Sequence, residues 1–178
     1  MRKKLEKSIS ENIEFLNIIE EIVTNETVQK MKNYRQHYET SCFEHCYISS
    51  YYCYFICKKL HLDYKSASRA AMLHDLFLYD WRKKQPNRKG LHAFTHPRAS
   101  YENASKLFNL NQKEKDIILK HMWPLTVIPP RYMESFILTL VDKYCAFSES
   151  SDVWKGRIIN KKILRYTYIV LSLLIIKI

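Results

Sequence analysis

Glycine is almost missing from this chain: only Gly90 and Gly156 occur in 178 residues. Glycine supplies the left-handed turns and close backbone approaches that many-stranded sheets depend on. Its scarcity, with five scattered prolines, favours long helices over a sheet with tight turns. The same scarcity excludes a GxGxxG fingerprint and a GxxxxGK[ST] loop, since each needs clustered glycines. Dinucleotide-binding and P-loop readings are therefore closed. With 47% hydrophobic and 13% aromatic residues, the chain has the composition of a globular protein rather than a disordered one. Its length suits a single domain, 1–178.

Helix boundaries can be read from local signals. Ile9, Ile13, Leu16 and Ile19 fall near helical spacing, so residues 3–33 read as one or two amphipathic helices. Ser41 and Glu44 form an S-x-x-E capping box, which predicts a helix from there to about Leu60 with His45 in its first turn. Asp63 is the expected N-cap of the next helix, ending with His74 and Asp75. Asp80 to Thr95 is the most loop-like stretch. Pro97 suits a first helical position, which would place His96 at a cap. Further helices are expected over 112–122 and in "RYMESFILTLVDKYCAF". The C-terminal stretch, 154–177, is basic and then apolar, and helix and strand remain open there.

The formal charge is +11. Two segments, "WRKKQPNRKGLH" and "KGRIINKKILR", each hold five Lys or Arg and no acid. Such patches suit phosphate, nucleic acid or an anionic membrane surface, and equally a solvated face. The five cysteines, at 42, 46, 53, 57 and 145, contain no CxxC pair and read as apolar core residues of a reducing cytoplasm. No secretory h-region follows the basic N-terminus. The apolar tail "YIVLSLLIIKI" is far shorter than the roughly 20 residues of a membrane span. It reads as a core element or a homodimer contact, with peripheral membrane contact as the alternative.

Within "AMLHDLFLYD", His74 and Asp75 stand side by side in an apolar run. Burying an unpartnered carboxylate and imidazole costs several kcal/mol, so something must satisfy them. Asp142 also interrupts an apolar helical face, and His96 and His121 lie at expected helix ends. A single polar residue of this kind is usually a satisfied core residue. Several together suit a divalent metal of borderline character, such as iron, manganese, zinc or nickel.

The order His45, His74-Asp75, His96, His121, Asp142 resembles the H…HD…H…H…D pattern of the HD-domain superfamily of metal-dependent phosphohydrolases, over about Ser41 to Phe147. The resemblance implies an all-α fold, a bundle of five or more helices around a metal site. It divides the chain into an N-terminal helical extension (1–36), an HD core (37–147) and a C-terminal element (148–178). It implies that His45, His74, Asp75 and Asp142 hold one ion, and that Asp75 bridges to a second held by His96 and His121. The cofactor would be two divalent ions, iron first, with Mn, Ni, Zn or Mg as alternatives. Met122 follows His121 and no GYP motif appears, which argues against cyclic di-GMP hydrolysis.

The same ligand set is shared by phosphohydrolases and by mixed-valent diiron oxygenases resembling myo-inositol oxygenase. Cations favour the first. Arg82, Lys83 and Lys84 in the basic loop, with Arg98, Lys120 and Lys143 beside ligands, are expected to bind a phosphate substrate. Tyr79, Trp81 and Trp123 could stack a base, which points to a nucleotide. The expected reaction is attack on phosphorus by hydroxide bridging two ions, positioned by Asp75, with charge on the phosphoryl oxygens stabilised by the ions and the basic loop. His37 would protonate the leaving group or touch substrate, while His61 and His92 receive no role. A non-enzymatic nucleotide sensor or nucleic-acid binder is the remaining alternative. No RNP-like, zinc-finger or helix-turn-helix signature supports it.

Overall fold

The computed structural model describes residues 2–37, 40–83 and 90–154, without the side chains of 2–4, His37 and 150–154. Among the described residues the chain is an all-α bundle. In order come α1 (Arg2–Ser10), α2 (Ile13–Val23), α3 (Glu26–Gln29), a 3-10 turn (Lys30–Asn33), strands β1 (Arg35–His37) and β2 (Thr40–Ser41), then α4 (Cys42–Lys59), α5 (Tyr64–Leu73), α6 (His92–Leu107), α7 (Gln112–Lys120) and α8 (Met133–Trp154). The two strands form one short antiparallel hairpin.

α4 is the central helix. Ser41 accepts from the Glu44 backbone while the Glu44 side chain reaches back to the Ser41 backbone, so the predicted capping box starts it. Its buried residues lie on more than one face: Cys46, Cys53 and Cys57 join the main core, while Tyr51 and Tyr54 join a second cluster with Ile9, Phe15 and Ile19. Phe15 of α2 sits among the rings of Tyr47, Tyr51 and Tyr54, with centroids 6.0, 5.1 and 5.5 Å away. The N-terminal helices are thus fastened to α4. Glu14 completes the fastening by accepting hydrogen bonds from the hydroxyls of Tyr54 and Tyr64 and from Lys58.

α5 meets α4 through small residues, Ala67, Ser68, Ala70 and Ala71, all buried. Small side chains bring helix axes close, close enough here for Ser50 Oγ to donate to the Ser68 carbonyl at 2.7 Å. Asp63 caps α5 as its sequence position predicts, and His74 is its C-cap. All five cysteines are buried and free.

Two boundaries differ from expectation. α6 begins at His92, so Pro97 lies inside the helix and His96 sits in its second turn rather than at a cap. Pro97 falls early in the helix, where its missing N–H forfeits one bond, to the Ala93 carbonyl. α8 continues to Trp154, through the 147/148 boundary of the sequence division. No helix among the described residues is long and apolar enough to cross a membrane. The apolar tail, the second basic segment and Lys84 lie outside the described residues.

Candidate metal centre

Five elements converge on one buried point. His45 comes from the first turns of α4, His74 and Asp75 from the end of α5, His96 from α6, His121 from the end of α7 and Asp142 from α8. All six are buried, with His45 and His74 fully so. Three of the helices that carry them, α4, α5 and α7, are started by side-chain caps. α4 and α7 each have a capping box, Ser41/Glu44 and Asn111/Glu114.

Ring orientation follows from what each Nδ1 does. His74 Nδ1 lies 2.7 Å from the Ala71 carbonyl, His96 Nδ1 2.9 Å from the His92 carbonyl, and His121 Nδ1 2.8 Å from the Ile118 carbonyl. A carbonyl only accepts, so each of these Nδ1 atoms carries the proton and donates. Their Nε2 atoms are left as lone-pair donors aimed inward, the arrangement that metal-ligating imidazoles adopt. For His45 the Nδ1 partner is a carboxylate, Glu149 Oε1, at 3.0 Å.

The inward atoms form two triads, His45/His74/Asp75 and Asp75/His96/His121, whose ligand atoms lie within 4.8 Å of one another in each. Asp75 belongs to both. Its Oδ2 is 3.4 Å from His74 Nε2, while its Oδ1 is 3.2 Å from His96 Nε2 and 3.7 Å from His121 Nε2. Asp142 Oδ1 closes the first triad, 3.0 Å from His45 Nε2 and 3.6 Å from His74 Nε2.

Three observations fit this set to a cation. His74 Nε2 and Asp75 Oδ1 are buried with no hydrogen-bond partner, which is costly unless something else satisfies them. His96 Nε2 and His121 Nε2 are 2.8 Å apart. Their protons are spent on carbonyls, so two lone pairs face each other and repel unless a proton or cation lies between. Metal–nitrogen bonds of about 2.1 Å set neighbouring ligand atoms about 3 Å apart. Finally, imidazole and carboxylate together are the donors that borderline divalent ions prefer. The buried His and Asp groups could therefore bind a metal ion.

Without an ion, protons must balance the carboxylates. Burial works against charge on His45, but hydrogen bonds to Asp142 and Glu149 outweigh it and hold the imidazole well above its ordinary range. Burial opposes charge on His74 too, and the neighbouring Cys46, Asp75 and Asp142 raise it. Burial would raise the Asp75 carboxyl, yet His74, His96 and His121 hold it well below the usual carboxylate range. Asp142 is lowered in the same way, against burial, by His45 and His74. His121 is pushed down to about 3 by burial and by its neighbours His96 and His74, so it stays neutral.

The structure brings all six predicted ligands together. It leaves the five described phosphate-binding candidates, Arg82, Lys83, Arg98, Lys120 and Lys143, outside the cluster, each with a local partner. Arg82 forms a fork on Asp80 at 3.0 and 3.2 Å, with Lys83 at 4.0 Å. Arg98 pairs with Glu102 and Lys120 with Asp116. Lys143 donates to the carbonyls of His121, Trp123 and Thr139 at 3.4, 3.0 and 3.2 Å, which fastens the end of α7 to α8. Of His37, the backbone lies in β1 and nothing further is described. Trp81 stacks on His92, which stacks on His96 with centroids 4.5 Å apart. His92 Nδ1 also faces the Tyr79 hydroxyl at 3.0 Å. Trp123 instead packs against Phe136.

Two participants escape the sequence reading. Gln36, on β1, donates from its side-chain amide to Asp75 Oδ2 and is 3.2 Å from Cys42 Sγ through its carbonyl oxygen. Glu149 lies two helical turns beyond Asp142, so heptad spacing puts both on the same face, and that spacing is the signal that could have found it. No family model, no curated protein and no solved structure matches this chain.

Proposed function

We propose that this protein is a metal-dependent phosphohydrolase with two divalent ions, acting on a phosphoester or phosphoanhydride of a nucleotide or similar small compound. The observation that carries the reading is the pair of buried triads sharing Asp75. One carboxylate facing two histidine sets is how a protein holds two ions side by side. Bound there, such ions supply Lewis acidity and lower the pKa of coordinated water toward about 7.

The chain's own residues do the rest. His45, His74 and Asp142 hold one side of the centre and His96 and His121 the other, with Asp75 aligned between them by Gln36. Trp81, half-buried at the outer end of the stack that runs through His92 to His96, is the ring on which a base would stack. Arg82 and Lys83 stand at the start of the basic loop, where a phosphate would compete with Asp80 for the guanidinium fork. The formal charge of +11 favours the approach of an anionic substrate.

Metal content and turnover test this together. Anaerobically purified wild type should carry two ions per chain, His121→Ala one, and His74→Ala almost none. Loaded wild type should release phosphate from a panel of nucleotides and dinucleoside polyphosphates. A wild type that neither retains nor rebinds metal removes the reading. Two irons with oxygen consumption and no phosphate release would assign the diiron-oxygenase chemistry instead.

A further inference from the structure

Resting on that dinuclear reading, we propose that Glu149 is a positioning residue for His45 and makes the two halves of the centre unequal, strengthening the half built from His45, His74 and Asp142. Among the four histidines, His74, His96 and His121 use a backbone carbonyl as Nδ1 acceptor. His45 instead faces the Glu149 carboxylate at 3.0 Å. His45 is fully buried and the Glu149 side chain is 11% exposed, so little solvent screens the contact. A carboxylate behind the imidazole fixes the Nδ1–H tautomer, orients the ring and makes Nε2 the more basic ligand.

The charge count points the same way. The His45 half has Asp142 among its ligands, Asp75 shared and Glu149 behind. The other half has Asp75 shared, and only neutral carbonyls behind His96 and His121. A divalent ion is therefore held by more negative charge on the His45 side, at short range and in a buried place where Coulomb terms are large. The position of Glu149 is built in: α8 runs unbroken from Asp142 to Glu149, so one rigid helix carries both the ligand and the group that orients the ligand's partner.

The test is titration of chelator-stripped full-length protein with Co(II), read by calorimetry and by counting retained ions, on wild type, Glu149→Ala, Glu149→Gln and His121→Ala. Helix content is checked by circular dichroism. Expected is a tighter and a weaker ion in wild type, with only the tighter one left in His121→Ala. Glu149→Ala should weaken the tighter ion ten- to a hundredfold and leave the weaker one alone. Glu149→Gln, whose amide oxygen still accepts from Nδ1–H, should recover part of that loss. Two ions bound by Glu149→Ala as by wild type overturn the proposal while leaving the dinuclear reading intact. So does an equal loss of both ions in the Ala and Gln variants, which would mark a merely structural role. A wild type that binds no Co(II) overturns both.

Discussion

Each oxygen of Asp75 faces a different set of histidines, and a free carboxylate would rotate. The restraint comes from Gln36, whose amide donates to Oδ2 while Oδ1 stays turned toward His96 and His121. Gln36→Leu keeps the buried volume and removes the donor. It should leave the helices intact and weaken metal binding about tenfold or more, as loss of a ligand's orienting partner does. Calorimetric titration against wild type checks this, and unchanged affinities would make Gln36 a space-filling residue. Of the six converging residues, His74, Asp75 and Asp142 were legible as polar groups at positions that periodicity assigns to the interior. His96 and His121 were legible as histidines at expected helix ends, and His45 only through the order that resembles the HD pattern. Gln36 was not, since it sits in a short hairpin without periodicity and reaches 39 residues along the chain.

At the scale of elements, the centre depends on where helices begin and end. His45 stands four residues after the Ser41 cap, and His121 directly follows α7, whose start is fixed by Asn111 and Glu114. Ser41→Ala removes a cap worth about 1 kcal/mol, which in a chain of this size lowers Tm by about 2–4 °C. Because the frayed turn is the one that carries His45, the same variant should also loosen the metal. The comparison that decides is Tm with and without metal: a cap effect confined to stability would shift both equally. The caps at Ser41 and Asp63 could be read from sequence because the capping groups are local. The start of α6 could not. Leu91, its N-cap residue, makes no side-chain hydrogen bond, so nothing local marks the boundary, and Pro97 looks like a first-turn proline although it lies a turn further in.

For the whole molecule, the all-α architecture followed from scarce glycine and helical periodicity, whereas the support behind the ligands did not. His45 and Glu149 are 104 residues apart in sequence, and only the packing of α8 on α4 makes them partners. The cluster should couple folding to pH, with a sign that depends on whether an ion is bound. In the metal-free protein His45 and His74 are held well above their ordinary range. Above about pH 6.5 the unfolded imidazoles lose their protons while these two keep theirs, so their contribution declines as pH rises through their folded pKa values. His121, held down near 3, acts oppositely: below about 6.5 the unfolded chain gains a proton that the folded one refuses. Asp75 and Asp142, held low, contribute above about 4 and lose that contribution in stronger acid. Metal-free protein should therefore be most stable near pH 6.5 and melt at lower temperature toward pH 8.5. A bound ion replaces the imidazole protons, because ligands bind metal deprotonated. Loaded protein should then show a flat or rising Tm over the same interval and lose metal in acid. Melting curves at pH 6.5, 7.5 and 8.5, with and without a chelator, decide it: the chelator should turn a flat or rising trend into a falling one. Parallel trends in the two series would mean that no ion takes the place of those protons.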